Sequence, residues 1–135
     1  MLSVFKVLIL PDAKTAFTLT AILTLAICVG TLIPLTEKIH VPGSDKWHHF
    51  IAFAALAYPL TAANRLYWIP ALIFGLCLGA LIEIIQPFVN RFGDIKDLQA
   101  DALGVLFGIL LGMLGYRFKS KRINSIGNGQ VWPRQ

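Results

Sequence analysis

A chain of 135 residues has the length of one domain, and this one is 56% hydrophobic with only 14% charged residues. Its mean hydropathy of +0.69 is typical of a membrane protein and excludes an ordinary soluble domain. The net charge of +5 would suit nucleic acid, but the basic residues collect at the ends of apolar runs, where anionic lipid headgroups attract them. We therefore expect the lipid bilayer, and no nucleic acid, as the partner.

The N-terminal part of the chain contains an interfacial segment and the first predicted span. Residues 1–15 carry Lys6 and Lys14 around a short apolar stretch, so we expect this segment to lie at the membrane surface. The run Ala16–Leu35 has no charged residue over 20 positions, which matches a hydrocarbon core about 30 Å thick. We expect this run to be retained, because a cleaved signal peptide has a shorter apolar region.

Three further apolar runs predict three more helices. The second run, His49–Ala63, is short and follows Trp47, an aromatic residue typical of the headgroup level. The third run, Tyr67–Val89, is long enough to cross the membrane with some tilt, and the fourth extends from about Asp97 to Phe118. A basic tail follows at residues 119–135, and we expect it to be poorly ordered.

Four spans over residues 16–118 predict an all-α transmembrane four-helix bundle with both termini on one side of the membrane. Eight of the twelve Lys and Arg residues fall at the end that carries the termini. The other four are Lys38, Lys46, Arg91 and Lys96. By the positive-inside rule we expect cytoplasmic termini, with the remaining charged loops facing the periplasm or the cell exterior.

Glycines and carboxylates share helical faces near that outer end. Gly75, Gly79 and Glu83 recur every four residues, which places them on one face of the third helix. The fourth helix has a second stripe of this kind, formed by Asp97, Asp101, Gly104, Gly108 and Gly112. Glycine faces let two helices approach closely, so we expect Glu83 to face another helix and not lipid. If the two glycine faces meet each other, the carboxylates meet too. His49 opens the second helix at the same level.

Several of these residues also have a purely structural interpretation. The glycines that we assign to helix packing are Gly75, Gly79, Gly104 and Gly108. Asp97 is equally well explained as a helix N-cap, which contributes about 1 kcal/mol, and Arg91 with Asp94 as a surface ion pair. Glu83 favours function, because a charge within a span costs about 2.5 to 3.5 kcal/mol on insertion scales and usually marks a site.

The same residues carry a resemblance to a known family. The motifs are Asp45-Lys46-x-x-His49-Phe50 before an apolar helix, then Glu83-x-x-Gln86, Arg91, Asp97 and Asp101-x-x-Gly104. Together they resemble the VanZ-like family, named for a protein linked to teicoplanin resistance, and the resemblance runs from the first helix to the fourth. Two positions depart from the family pattern, in which an Asn commonly stands at the position of Asp101 and a Tyr often at that of Phe53.

The resemblance implies a small multi-pass protein of the bacterial inner membrane, in a family proposed to be related to enzymes that exchange or remodel lipid headgroups. Such a protein would act at the outer leaflet on a phospholipid headgroup or a polyprenyl-phosphate-linked cell-envelope precursor. The alternative is a non-catalytic lipid-binding or accessory protein that affects the cell envelope or glycopeptide susceptibility. A homo-oligomer stays open, because the glycine stripes would also serve a dimer.

The enzyme interpretation assigns a role to each polar residue. The predicted catalytic residues are His49, Glu83 and Asp97. His49 would act as general base or as nucleophile toward phosphorus, while a carboxylate of Glu83, Asp97 or Asp101 orients its other ring nitrogen. The predicted substrate-binding residues are Lys46, Gln86, Arg91, Asp94 and Asp101. Their cationic groups suit a phosphate, and the carboxylates offer the alternative of a divalent cation that bridges to it.

Overall fold

The computed structural model describes residues 10–33, 45–91 and 93–128, with Asp45 and residues 122–128 described by their backbone alone. This part of the chain contains four α-helices and no strand, so the predicted all-α four-helix fold is confirmed. The helices are α1 (Ala13–Leu32), α2 (Asp45–Ala63), α3 (Trp68–Ile85) and α4 (Ile95–Asn128). The predicted interfacial segment falls mostly on residues 1–9, which lie outside the described residues.

Capping residues fix where the first helix begins and where the 3-10 turn before the third helix begins. Asp12 ends the extended chain before α1, and its carboxylate accepts a hydrogen bond of 2.9 Å from the backbone N–H of Thr15. Asn64 separates α2 from a short 3-10 turn, Arg65–Tyr67, and its side chain accepts one of 3.0 Å from the N–H of Leu66. The helix α1 therefore begins three residues before the predicted span, and α3 follows α2 through a tight turn.

Three helical segments of the described chain are long and apolar enough to cross a membrane. They are Ala13–Leu32, Arg65–Val89 and Ile95–Lys121. The helix α2, which contains the second predicted span, is not among them, because Lys46, His48 and His49 occupy its first turns. It contacts each of the other three helices, α4 most extensively. We infer that α2 contributes less lipid-facing surface than its neighbours do, so its lower hydropathy is tolerated.

The glycines of α4 bring it against α2. A Cβ added at Gly104 or Gly108 would collide with the backbone of Phe50 or Ala54. Because Gly112 meets Thr61 further along both helices, α2 and α4 run parallel. The glycines of α4 therefore pack on α2, and the glycine faces of the third and fourth helices do not meet each other.

The glycines of α3 contact a different side of α4. A Cβ at Gly75 would meet the side chain of Val105, and one at Gly79 would lie 2.9 Å from Oδ2 of Asp101. Residue numbers therefore fall along α3 as they rise along α4, which makes the two helices antiparallel. The glycine face of α3 thus brings the carboxylate of Asp101 close to this helix, although no glycine of α4 is involved.

One further contact identifies the two ends of the bundle. The ammonium group of Lys119 donates a 3.0 Å hydrogen bond to the backbone carbonyl of Pro11, so the start of α1 lies beside the later part of α4. Residues 119–128, which the sequence assigns to a basic tail, continue α4, and residues 129–135 lie outside the described residues. His49 and Asp101 stand at the opposite end, near the beginning of α2 and of α4.

Candidate functional site

Three ionisable side chains from three helices converge at the end of the bundle opposite Pro11 and Lys119. They are His49 of α2, Glu83 of α3 and Asp101 of α4, and one nitrogen or oxygen atom of each lies within 4.8 Å of those of the other two. Only 6% of His49 and 1% of Asp101 is exposed, whereas Glu83 is half-buried. We call these three residues the inner cluster.

A direct contact within the inner cluster joins His49 to Asp101. The ring nitrogen Nδ1 lies 2.9 Å from the carboxylate oxygen Oδ1. Asp101 reaches this position because it precedes Gly104 by one turn on α4 and because Gly79 of α3 leaves room for its second oxygen. In the tautomer with its proton on Nδ1, the imidazole donates to Asp101 and has its lone pair on Nε2.

The loop between α3 and α4 folds back over Glu83. Its carboxylate oxygen Oε2 accepts a 2.8 Å hydrogen bond from the backbone N–H of Asp94. Asn90, with φ of 62°, ends the 3-10 turn Gln86–Val89 and redirects the chain. A Cβ at Gly93 would lie 2.9 Å from the backbone carbonyl oxygen of Glu83, so only glycine fits without a backbone shift. Gly93 was not among the predicted site residues; its place directly before a helix-capping aspartate was the available signal.

Lys46 lies at the solvent-facing rim of the site, between two carboxylates. Its ammonium group is 3.4 Å from Oδ2 of Asp94 and 3.5 Å from Oδ1 of Asp97. Desolvation opposes the charge of Lys46, but the carboxylates of Asp97 and Asp94 outweigh it and raise the pKa of the ammonium group. The rim therefore holds a permanently charged cation, which pairs with Asp94 and Asp97 and not with the inner cluster.

Asp94, and not Asp97, caps α4. Its side chain accepts a 2.9 Å hydrogen bond from the N–H of Lys96, and its backbone carbonyl accepts from the N–H groups of Asp97 and Leu98. The hydrogen bond from Lys96 holds the pKa of the Asp94 carboxyl below its usual value, and Lys46 lowers it further. The alternative of Asp97 as an N-cap is therefore wrong; Asp97 lies in the first turn, where it contacts Lys46.

Arg91 points to a different part of the molecule. Its guanidinium group donates to the backbone carbonyls of Gly30, at 3.1 Å, and Ile33, at 3.5 Å. These carbonyls end α1, where basic side chains commonly bind them. Within the described residues Arg91 makes neither the surface pair with Asp94 nor a hydrogen bond to the inner cluster. Its observed role is to hold the end of α1 against the loop that follows α3.

Several buried oxygens of the site have no hydrogen-bond donor among the described residues. They are Oε1 of Glu83, Oε1 of Gln86 and Oδ2 of Asp101. A buried acceptor that stays unsatisfied costs about 1 to 3 kcal/mol, and native structures contain few of them. Lys46 pairs with Asp94 and Asp97, so the imidazole of His49 is the one basic group among the described residues that lies within the inner cluster. The interior of the site therefore combines two carboxyl groups with unused acceptor capacity.

A known protein family matches the part of the chain that contains this whole site. The model of the family described as VanZ/LLP1 matches residues 4–116, which include all four helices down to Tyr116 and every site residue described above. No curated protein and no solved structure matches the chain.

Proposed function

The chain belongs to the VanZ/LLP1 family, the VanZ-like family that its motifs resemble, and we propose that it is a membrane enzyme acting on a phosphate group carried by a lipid. The observation that supports this proposal is the buried contact of 2.9 Å between His49 and Asp101. A phospholipid headgroup and a polyprenyl-phosphate-linked precursor of the cell envelope share the required phosphate ester.

The contact between His49 and Asp101 suits general base catalysis. A carboxylate that accepts from Nδ1 of a histidine holds the ring in one orientation and stabilises the imidazolium that forms when Nε2 takes a proton. Asp101 therefore takes the orienting role for which Glu83, Asp97 and Asp101 were alternatives on the sequence. In this proposal Asp97 supports Lys46 at the rim, because its carboxylate contacts that ammonium group.

The depth of the site favours chemistry on the headgroup. His49 is four residues beyond the first residue of α2, and Asp101 is six beyond that of α4. At a rise of 1.5 Å per residue they lie about 6 Å and 9 Å along their helices. Half of a hydrocarbon core measures about 15 Å, so with the first residues of α2 and α4 at the membrane surface we infer a site nearer that surface than the midplane. A headgroup phosphate reaches this level more readily than an acyl chain ester would.

The cation at the rim supports a phosphate substrate. Lys46 is 45% exposed at its side chain, so an incoming anion meets it before the inner cluster. An ammonium group binds phosphate as a point charge. By the distribution of Lys and Arg we place the site on the outer side of the inner membrane, where lipid-linked envelope precursors are used.

The experiment measures lipid products directly. The purified protein is reconstituted into vesicles that contain phosphatidylglycerol, phosphatidylethanolamine and a polyprenyl phosphate, and products are followed by mass spectrometry. Because a general base contributes about 10² to 10⁴ in rate, His49→Ala should lose at least about a hundredfold. The neighbouring His48 is exposed, and His48→Ala should keep the wild-type rate. Equal rates for the two variants, or no product with the wild type, would refute the proposal.

The burial of the same pair favours a second candidate function, that of a non-catalytic lipid-binding or accessory protein. Asp101 is 1% exposed, so the pair with His49 also fits a purely structural contact between α2 and α4. In that case each substitution would lower stability, and no lipid product would form with any variant. The product assay above, combined with thermal unfolding of the same samples, separates the two functions.

A further inference from the structure

We propose that the inner cluster is a binding site for one divalent metal ion of the Zn²⁺ or Mn²⁺ type, with His49, Glu83 and Asp101 as ligands. The inference deepens the proposed function of the same site and rests on it only for its catalytic consequence. With an ion bound, His49 would serve as a ligand and not as the general base, and the ion would supply the positive charge that activates the phosphate. Ion binding itself is measured without any lipid substrate.

The geometry of the three ligand atoms fits a common ion. Three points that are pairwise within 4.8 Å all lie within about 2.8 Å of one centre. Metal–ligand distances for nitrogen and carboxylate oxygen are about 2.0 to 2.2 Å, so side-chain shifts of about 0.7 Å complete the coordination. Adjacent ligands at such distances are about 3 Å apart. The 2.9 Å between His49 and Asp101 therefore fits two neighbouring ligands as well as a hydrogen bond.

The unpartnered oxygens point independently to a cation. Asp101 is 1% exposed, and its Oδ2 lies beside Gly79 of α3, the helix that also carries Glu83. This oxygen has no hydrogen-bond donor among the described residues. Oε1 of Glu83 is unpartnered on the same criterion. Gln86, which is 3% exposed, follows Glu83 by three residues and offers a third such oxygen as a candidate fourth ligand. A metal ion satisfies such oxygens because it binds their lone pairs in place of a hydrogen-bond donor.

The charges and the ligand types select the class of ion. The cation Lys46 is engaged by Asp94 and Asp97, which leaves two inner carboxylates whose charge a divalent ion would neutralise. One imidazole with carboxylate and amide oxygens suits Zn²⁺ or Mn²⁺ better than Ca²⁺, which prefers six to eight oxygen ligands. With the ion bound, the inner cluster would attract a phosphate anion that its own carboxylates repel.

The first experiment measures affinity. Protein whose polyhistidine tag has been removed is stripped with EDTA, and its binding of Zn²⁺ and Mn²⁺ is measured by calorimetry and metal analysis. We expect one equivalent for the wild type and a loss of at least about tenfold in affinity for Glu83→Gln and for Asp101→Asn. The matched control is Asp94→Asn, a carboxylate of the exposed rim, which should bind within about threefold of wild type. Equal affinities for all three variants would show surface binding only and overturn the proposal.

The second experiment identifies the nitrogen ligand. Electron spin echo spectra of bound Mn²⁺ contain a modulation from a directly coordinated imidazole nitrogen. It should be present in the wild type and in His48→Ala and lost in His49→Ala, since His48 is exposed on α2 and His49 is buried. A wild-type spectrum without nitrogen modulation, or one that persists in His49→Ala, would contradict the assignment.

A third measurement tests the proposal on the wild type alone, so it does not depend on whether a variant folds. An ion that binds the native state raises the unfolding midpoint, so saturating Zn²⁺ or Mn²⁺ should stabilise the wild type. No rise would overturn the proposal without any variant. Ion binding without lipid turnover would leave the metal site intact and refute the enzyme. Turnover by EDTA-treated protein that binds no ion would refute the metal site and leave the enzyme intact.

Discussion

The contact between His49 and Asp101 should be energetically coupled far more strongly than the contact at the rim of the same site. We predict this from a double-mutant cycle with His49→Ala, Asp101→Asn and the double variant. A second cycle with Lys46→Met and Asp94→Asn serves as the matched control. Both pairs join α2 to the α4 region of the chain, but the pair of His49 and Asp101 is buried and the pair of Lys46 and Asp94 is exposed.

The magnitude follows from the burial of each pair. His49 and Asp101 are 6% and 1% exposed with 2.9 Å between their atoms. Removing one partner of a buried pair costs about 3 to 5 kcal/mol, because the other charge is left uncompensated. We therefore expect His49→Ala to lower the free energy of unfolding by about 3 kcal/mol, with about 2 kcal/mol of it as coupling to Asp101. Solvent and salt screen the rim pair, whose side chains are 45% and 43% exposed at 3.4 Å.

The assay is reversible unfolding in mixed micelles, followed by circular dichroism at low and at high salt. The coupling of the inner pair should persist at high salt, whereas that of the rim pair should be smaller and should decrease. An inner coupling no larger than that of the rim pair would refute the reasoning, because His49 and Asp101 would then not be in direct contact in the folded protein.

Three further predictions concern the remaining contacts. Gly108→Ala should lower the free energy of unfolding by about 1 to 3 kcal/mol, because the new Cβ would collide with the backbone of α2. The control is Gly30→Ala, whose Cβ would meet no other described atom within 4 Å and which should be neutral or stabilise by about 0.4 to 1 kcal/mol. If equilibrium unfolding showed Gly30→Ala to be less stable than Gly108→Ala, the helix packing described above would be contradicted. Arg91→Ala should lower the thermal unfolding midpoint, because the guanidinium group of Arg91 binds carbonyls of α1. Its lipid turnover in the vesicle assay should stay within about threefold of the wild-type rate, and a hundredfold loss would contradict this placement. The stabilisation from Asp94 is present above its unfolded pKa of about 4 and is lost as pH falls through its lower folded pKa. Acidification should therefore lower the unfolding midpoint more for wild type than for Asp94→Asn, and equal decreases would contradict this.

The helices of this protein could be predicted from the sequence because long apolar runs and polar turns mark them directly. The choice of neighbours could not be predicted in the same way. Helical spacing places Gly104 and Gly108 on one stripe, but it does not say which helix that stripe faces. In the structure this stripe packs on α2, while Gly79 faces Asp101. The carboxylates still converge, because Asp101 lies where α4 contacts both α2 and α3.

The roles of the charged residues show the same limit of sequence reasoning. Asp97 and Asp101 are four residues apart, so helical spacing alone left either of them as the partner of His49. Their depth along α4 separates them, since Asp97 lies in the first turn beside Lys46 and Asp101 lies one turn deeper and contacts His49. Arg91 could not be placed from its position in a loop, because its partners are carbonyls of Gly30 and Ile33, about sixty residues earlier in the chain.

The identity of lipids that stay bound through purification tests the central claim most directly, namely that this site holds a lipid phosphate. Mass spectrometry of the intact protein in gentle detergent should show one defined phosphorylated lipid on the wild type and on His48→Ala. Lys46→Ala should have lost most of it, because its ammonium group is the cation at the rim that binds the phosphate. If all three proteins carry the same mixture of bulk membrane lipids, the inner cluster and its rim are not a lipid phosphate site.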